Sequence, residues 1–334
     1  MRSDMARVRR DILDNYLPSQ EREPVATARI YSIIVCTLNR APLLRLCLEA
    51  ILAEMERTKE QGELLVVDNG STDDTAATVA ALQERAPQHI HFSYLVERRP
   101  GLSVARNHGL KHAKGDILIF VDDDAIVERG WLTSCLDVFE RHPDAAAVGG
   151  EILPRSDKPI PDWLRPPITG VYSIISLGGD HTRPFPNRSL PVGANMAFRR
   201  AALTARQFSE NLGRTGSNLI SHEEGEIFIS IQQRGEKILY VPAMRVVHII
   251  DPERLTHAWA MKRSYFEGVS KARMNLGWRR ATYEFVLHCA KVLWLLATLP
   301  LARSEFQRLL WHCRMRKSLG FFAERVAQLA QLTP

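Results

Sequence analysis

The chain of 334 residues is 45% hydrophobic and 25% charged, a composition that suits one large domain with an extension and excludes a disordered or collagen-like protein. Its formal net charge of +6 comes from the end of the sequence, where 14 Lys and Arg residues stand against 5 Asp and Glu from Glu253 onward. Because the remainder is net negative, the positive total does not indicate a nucleic-acid-binding protein.

The first 28 residues are predicted to form an N-terminal extension. The segment Met1–Tyr16 is charged and lacks the apolar stretch of a secretory signal. The five cysteines are widely spread and form neither a C-x-x-C pair nor a zinc-type cluster. Reduced thiols without an export signal are typical of cytoplasmic proteins, and we expect that location here.

Residues 29–252 are predicted to form one α/β domain with halves at 29–150 and 151–252. Short β-branched runs alternate with helical patterns, which is typical of parallel strands joined by helical crossovers. Ligands bind such doubly wound sheets at the carboxyl ends of the strands. The predicted strands are Ile30–Cys36, Leu64–Val67, Phe92–Val96, Ile117–Val121 and Ala146–Gly150, with helices beginning near Pro42, Thr72, Ser103 and Trp131. The second half begins with a Pro-rich stretch and holds a predicted helix at Glu223–Arg234 and a strand pair at Ile238–Val241 and Val246–Ile250.

Polar segments follow the first two predicted strands. Thr37-Leu38-Asn39-Arg40 ends the first strand, and Asp68-Asn69-Gly70-Ser71-Thr72-Asp73 ends the second. Both should line one crevice, where an aspartate such as Asp68 can accept a hydrogen bond from a nucleobase. The alternative is that Asp68 to Thr72 only form a turn and a helix cap. Arg106, which lies in a helix after the third strand, is placed to reach the same crevice.

Three adjacent carboxylates, Asp122, Asp123 and Asp124, follow the buried strand Ile117–Val121. They repel one another, and a divalent cation that bridges to a diphosphate would relieve this repulsion. Side chains alternate along an extended segment, so Asp122 and Asp124 should face one way. We therefore assign Asp122 to a nucleoside ribose and Asp124 to a metal. An acidic surface turn is the alternative.

Five segments in the correct order, from about Tyr31 to His248, resemble glycosyltransferase family 2. The resemblance implies a GT-A fold, with a doubly wound, mostly parallel, Rossmann-like sheet. It also implies an inverting transfer from a nucleoside-diphosphate sugar, with UDP preferred, and a Mn²⁺ or Mg²⁺ cofactor. The matching segments are Thr37–Arg40, Val67–Asp73, Gly101–Gly109, Asp122–Asp124 and Gly193–Phe198.

Residue roles follow from this resemblance. Asp68 would contact the base with support from Arg106, and Asp124 would hold the metal together with His248. A satisfied core histidine is the alternative for His248, which lies in an apolar strand. Asn195 would contact the donor from the Gly-Ala-Asn segment. The remaining predicted substrate-binding residues are Thr37, Asn39, Arg40, Asn69, Asp122 and Asp123.

The general base of the family lies in a Glu-Asp pair that opens a helix, and the counterpart here is Glu223-Glu224. An inverting transfer needs a carboxylate to take the proton of the attacking hydroxyl. We prefer Glu224, although the family more often has aspartate at that position, and Glu223 is the competing candidate. A cluster that only caps the helix is the alternative.

Residues 253–334 are predicted to form a helical extension that holds 11 of the 25 aromatic residues. The apolar segment Tyr283–Ala302 is interrupted by His288 and Lys291, so it is borderline for a transmembrane helix. We expect peripheral or monotopic attachment to the inner face of a membrane. The alternative is packing on the catalytic domain or on a second subunit, as in a homo-oligomer.

The sequence therefore predicts a non-processive enzyme, since the Gln-x-x-Arg-Trp segment of processive family members is absent. We expect it to add a sugar to a hydroxyl of a lipid-linked or cell-envelope glycan. The first rival is a nucleotidyltransferase that makes a nucleotide sugar, although the loop Thr37–Pro42 has no glycine to cradle a triphosphate. The second is a membrane scaffold that has kept the fold without turnover.

Overall fold

A computed structural model describes residues 31–58, 60–186, 189–203, 207–216, 218–274 and 277–332. The predicted N-terminal extension and the predicted strand start at Ile30 lie outside this range. The strands are β1 Tyr31–Thr37, β2 Gly62–Asp68, β3 His91–Val96, β4 Ile117–Asp122, β5 Ala125–Val127, β6 Ala145–Arg155, β7 Arg183–Pro184, β8 Met196–Arg199 and β9 Lys237–Ile249. The helices are α1 Ala41–Thr58, α2 Thr75–Gln83, α3 Leu102–His112, α4 Trp131–Arg141, α5 Arg200–Leu203, α6 Glu223–Gln233, α7 His257–Arg273, α8 Gly277–Thr298 and α9 Glu305–Leu332.

The first half of the sheet is parallel. Strands β3, β2, β1 and β4 lie side by side in that order, and each crossover before β4 contains a helix. Every residue of β1 is buried, as expected for a strand covered on both faces. The predicted doubly wound α/β arrangement is confirmed, and it places the ends of β1, β2 and β4 at one edge of the sheet.

The second half of the sheet is mixed. Strand β8 runs antiparallel to β4 and β6, β9 runs parallel to β6, and β5 pairs with β9 at the edge. The prediction of two separate strands after α6 is wrong, because β9 is one strand of 13 residues with a bulge. Pro242, which cannot donate to a sheet ladder, lies within the bulge. A Cβ atom on Gly150 would lie 1.6 Å from the Met244 carbonyl oxygen, so the bulge requires glycine there.

Helices α7 and α9 pack on the segment between β6 and β7. Leu309 and Cys313 of α9 join Ile168 and Tyr172 in an apolar cluster separate from the main core. Helices α7 and α9 approach closely, since a Cβ atom on Gly268 would lie 1.8 Å from the Lys317 carbonyl oxygen. None of the helices in the described ranges combines the length and the apolar character needed to cross a membrane.

Candidate active site

A cavity of about 1340 Å³ opens at the carboxyl edge of the parallel strands. It extends from the ends of β1 and β4, past the start of α6, to the C-terminal helices. Asp68, Asn39 and Asn195 are not among the residues that line it. The predicted site residues that do line it are Thr37, Arg40, Asn69, Arg106, Asp122, Asp123, Asp124, Glu223, Glu224 and His248.

The acidic run spans the end of a strand and the turn that follows it. Asp122 is the last residue of β4, and Asp123 and Asp124 form the turn into β5. Arg40 Nη1 donates to Asp123 Oδ1 at 2.9 Å and to Asp124 Oδ2 at 2.7 Å. Extended geometry ends at Asp122, and the turn brings the next two carboxylates to one guanidinium. Asp122 and Asp124, which were predicted to face one way, both line the cavity, and so does Asp123.

Burial and charge separate the two turn aspartates. Burial and the neighbouring Asp124 charge raise the pKa of Asp123 to about 6, although Arg40 opposes this shift. Burial alone would raise the pKa of Asp124 as well, but the adjacent His248 and Arg40 outweigh it and hold that pKa below its usual range. Asp124 is therefore a stable carboxylate at neutral pH.

Asp124 and His248 form a buried pair. Strands β5 and β9 bring them together, and His248 Nε2 lies 3.2 Å from Asp124 Oδ1. His248 Nδ1 lies 3.1 Å from the Tyr172 carbonyl oxygen, which can only accept, so Nδ1 carries a proton. This leaves Nε2 directed at the carboxylate, and a backbone carbonyl on the second ring nitrogen is the usual support of a metal-binding histidine.

Arg106 links the acidic run to α6. Its guanidinium is 3% exposed and donates from Nη2 to Asp122 Oδ1 at 2.9 Å and from Nη1 to Glu223 Oε1 at 2.7 Å. A Cβ atom on Gly193 would lie 2.0 Å from Arg106 Nη2. Glycine in the Gly-Ala-Asn segment therefore makes room for this buried bridge.

Glu223 and Glu224 open α6 side by side but have different surroundings. Glu223 is paired with Arg106, whereas Glu224 accepts only a long bond of 3.3 Å from the Gly193 amide through Oε1. The Oε2 atom of each is buried and has no hydrogen-bond partner among the described residues. Burial and the Glu223 charge raise the pKa of Glu224 to about 8. Among the described residues, Glu223 forms an ion pair with Arg106 and Glu224 forms none.

Asp68, Asn69 and Asn39 hold loops around the site. Asp68 accepts from the Ser71 amide at 2.7 Å and from the Tyr94 hydroxyl, a partner that the sequence reasoning missed. Asn69 donates to the Glu97 and Arg99 carbonyl oxygens at 2.9 and 2.7 Å. Asn39 accepts from the Thr72 amide at 2.7 Å. These contacts match the alternative in which the segment after β2 forms a turn.

Asn195 lies beneath the site and is 1% exposed. Its Oδ1 accepts from Trp131 Nε1 at 2.9 Å, and its Nδ2 donates to the Met244 and Glu151 carbonyl oxygens at 2.7 and 3.1 Å. Both amide hydrogens are used in these bonds. The structure therefore gives Asn195 a role in joining β6, β9 and α4 in place of the predicted donor contact.

Further cations line the cavity that the sequence reasoning did not assign. Arg214, Arg254 and Arg263 face it from the loop before α6, the turn after β9 and helix α7. No motif marks them. The only available signal was the positive charge of the segment that begins at Glu253, which holds two of the three.

Comparison with known proteins agrees with this architecture. Residues 32–206 match the family model described as glycosyl transferase family 2. A glucosyl-dolichyl phosphate glucuronosyltransferase from Haloferax volcanii is 29% identical over 260 residues, which cover 75% of this chain and 79% of the relative. The succinoglycan biosynthesis protein ExoM from Rhizobium meliloti is 28% identical over 252 residues, with coverage of 72% and 73%.

Among solved structures, the mannosyltransferase PcManGT from Pyrobaculum calidifontis, in complex with GDP-Man and Mn²⁺, has a TM-score of 0.60 at 20% identity. The match covers 96% of this chain and 94% of that chain, and it confirms the predicted GT-A fold. The family match covers more than half of the sequence. The chain therefore belongs to glycosyltransferase family 2 and is an enzyme that transfers sugars.

Proposed function

We propose that this enzyme transfers one sugar, with inversion, from a nucleoside-diphosphate sugar to a hydroxyl of a lipid-linked or cell-envelope glycan. The observation that carries the proposal is the convergence of Asp122, Asp124, Arg106 and Glu224 on one cavity. A uridine donor is preferred from the sequence resemblance, and a guanosine donor belongs in every test because PcManGT was solved with GDP-Man.

Asp124 and His248 would hold a divalent cation, Mn²⁺ or Mg²⁺. Their carboxylate oxygen and imidazole nitrogen lie 3.2 Å apart, and both are ligand atoms that Mn²⁺ binds. Within the described ranges no group of three or more His, Cys, Asp or Glu side chains is arranged to hold a metal. A bound cation supplies positive charge to the departing diphosphate.

Glu224 acts as the general base in this proposal. Glu224 lines the cavity. When ionised, its carboxylate takes the proton of the acceptor hydroxyl while the hydroxyl oxygen attacks the anomeric carbon. The bond between that carbon and the diphosphate breaks on the opposite face, which inverts the configuration. Glu223 is less suited, because Arg106 holds one of its oxygens and neutralises its charge.

The acceptor class has independent support from a relative. The Haloferax volcanii protein is named for a glucosyl-dolichyl phosphate acceptor. This chain has a basic, aromatic C-terminal part, which suits an acceptor held at an anionic membrane surface. We place the enzyme at the cytoplasmic face of the membrane and assign it a single addition per acceptor.

Transfer of radiolabelled sugars from uridine and guanosine donors tests the proposal. Wild-type protein, Asp124→Ala and Glu224→Gln are compared, and Asp137→Asn on the exposed face of α4 is the matched control. We expect metal-dependent transfer, which Asp124→Ala and Glu224→Gln abolish and Asp137→Asn does not. The anomeric coupling constant of the product in NMR should show a configuration opposite to that of the donor.

Three outcomes would contradict the proposal. Full activity of Glu224→Gln would remove the assigned base. Pyrophosphate release from a nucleoside triphosphate and a sugar phosphate would identify a nucleotidyltransferase. Nucleotide binding without hydrolysis or transfer, across all donors and extracted lipid acceptors, would identify a scaffold.

A further inference from the structure

The cavity has a second end that is lined by cations from the C-terminal helices. Glu267 and Glu284 are the carboxylates that line this end. The cations are Arg263, Lys271, Lys291 and Lys317, and we call this group the basic end. Its positive charges outnumber its negative ones, which favours an anionic ligand.

Arg263 has hydrogen-bonding capacity that the protein does not use. It is 5% exposed, and its Nη2 donates to Ser221 Oγ at 3.0 Å and pairs with Glu267 Oε1 at 2.9 Å. Its Nε and Nη1 atoms are buried and have no hydrogen-bond partner within the described part of the chain. Buried N–H groups of a charged side chain are costly to leave unpaired, and a phosphate presents the oxygens that a guanidinium fork binds.

Each C-terminal helix contributes one lysine to the basic end. Lys271 of α7 lies 3.0 Å from Glu284 Oε2, and Lys317 of α9 lies 3.2 Å from Glu267 Oε2. Lys291 of α8 has no ion-pair partner in the part of the chain that the structure describes. Burial lowers the pKa of Lys291, and the charges of Lys271 and Lys317 lower it further. The three ammonium groups are thus held close enough to repel.

The basic end adjoins the proposed base. His222 directly precedes Glu223 and Glu224, and its Nε2 lies 3.6 Å from Glu267 Oε2. Arg214 lines the same cavity, and burial and the charges of Arg263 and Arg254 lower its pKa. An anion at the basic end would therefore lie near the start of α6.

An exposed apolar face of α8 continues from the basic end. Tyr283, Val286, Leu293 and Trp294 are between 54% and 69% exposed, and their spacing places them on one face of the helix. Tyr283 and Lys291 both line the cavity, so the apolar face borders the cations directly. An apolar chain attached to a phosphate at the basic end would meet this face.

We propose that the acceptor is a sugar joined through phosphate to a long apolar chain, with the phosphate bound at the basic end and the chain along the exposed face of α8. Arg263 and the three lysines supply the positive charge that binds the phosphate. This assignment rests on the proposed function for the statement that the ligand is the acceptor. The anion site itself can be tested without turnover.

Binding of farnesyl phosphate to the full chain tests the site, with farnesol and inorganic phosphate as separate ligands and calorimetry as the readout. Lys291→Glu reverses a charge that forms no ion pair with a described carboxylate. Lys262→Glu is the matched control, because Lys262 is exposed on α7 and lies outside the cavity. We expect farnesyl phosphate to bind at least about tenfold more tightly than either other ligand, and Lys291→Glu to weaken it about tenfold. Lys262→Glu should leave it within about twofold.

Several results would overturn the assignment. Equal binding of farnesol would remove the anion site, and equal binding of inorganic phosphate would remove the apolar chain. Equal effects of Lys291→Glu and Lys262→Glu would show that the basic end is not used. If wild-type protein sediments as a dimer and the dimer does not bind farnesyl phosphate, the apolar face of α8 would be assigned to contact with a second copy of the chain.

Nucleotide binding in the same samples separates this proposal from the proposed function. UDP and GDP with Mn²⁺ should bind Lys291→Glu and wild-type protein alike. Loss of nucleotide binding in Lys291→Glu would assign the cations to the donor and overturn the acceptor site. Farnesyl phosphate binding as expected, with no transfer from any donor, would leave the site standing and refute the proposed function.

Discussion

Replacing Glu223 by glutamine should change the pH at which the enzyme gains activity. Burial and the charge of Glu223 raise the pKa of Glu224 to about 8. A general base works only when it is ionised, so kcat/KM should rise with pH and level off above about pH 8. From pH 7 to pH 9 the ionised fraction, and with it kcat/KM, should increase about tenfold.

Glu223→Gln keeps the size of the side chain and removes its charge. The substitution removes the Glu223 charge that raises the pKa of Glu224, while the Arg106 charge that lowers this pKa remains. Both changes favour ionised Glu224, so the rising limb should move to lower pH by about one unit. This shift would identify Glu224 as the general base. If Glu223 were the base, Glu223→Gln would instead abolish the rise of kcat/KM with pH.

The assay is kcat/KM for the donor between pH 5.5 and 9.5, at constant ionic strength and fixed saturating Mg²⁺. A wild-type profile that is flat between pH 6.5 and 9 would refute the reasoning. So would a Glu223→Gln limb at higher pH, or a Glu224→Gln variant that retains the limb.

Thermal unfolding provides a check that does not depend on turnover. The folded pKa of Glu224 lies above the ordinary value of 4.5, so its contribution to stability is fully present below that value and is lost as pH rises through about 8. Wild-type protein should therefore lose Tm relative to Glu224→Gln between pH 5 and 9. A constant Tm difference between the two proteins across this range would show that the pKa of Glu224 is not raised.

Two further substitutions test the roles that the structure assigns to buried polar residues. Asn195→Ala removes the hydrogen-bond partner of Trp131 Nε1 and of two carbonyl oxygens. The free energy of unfolding should therefore fall by about 2–4 kcal/mol, while activity per folded molecule stays near wild type. A lowered donor affinity at unchanged Tm would contradict this. Arg106→Ala leaves Asp122 and Glu223 without their shared cation and should cost about 3–5 kcal/mol in urea unfolding, with Arg141→Ala on the surface of α4 as the control.

The parallel half of the sheet could be predicted because its signal is local. Buried β-branched runs such as Ile33–Val35 and Ile117–Val121 identify the strands without information from the rest of the chain. The carboxyl-edge rule then places Thr37 and Asp122 at the same edge. The order of the motifs was sufficient for the family and the GT-A fold.

Contacts between distant residues could not be predicted in this way. The pairing of Arg106 with Glu223 joins residues 117 positions apart, and it depends on how α3 and α6 are placed. The shared contact of Asp123 and Asp124 with Arg40 could not be predicted from alternation, because alternation holds only while the strand continues and β4 ends at Asp122. Asn195 was assigned from its motif, but the bulge of β9 turns the Met244 carbonyl toward it.

The basic end illustrates the same limit. Lys271, Lys291 and Lys317 are spread over three helices and belong to no motif, so only their packing brings them to one cavity. The charge excess after Glu253 indicated an anionic partner without locating where it binds. The roles of the membrane and of a second subunit stay predictions.

Anomalous diffraction from crystals grown with UDP or GDP and Mn²⁺ tests the central claim most directly. We predict a manganese peak within coordination distance of Asp124 and His248, with the diphosphate bound to the same ion and the nucleobase near Asn69. A nucleotide bound elsewhere in the chain, or a manganese peak remote from both side chains, would contradict it.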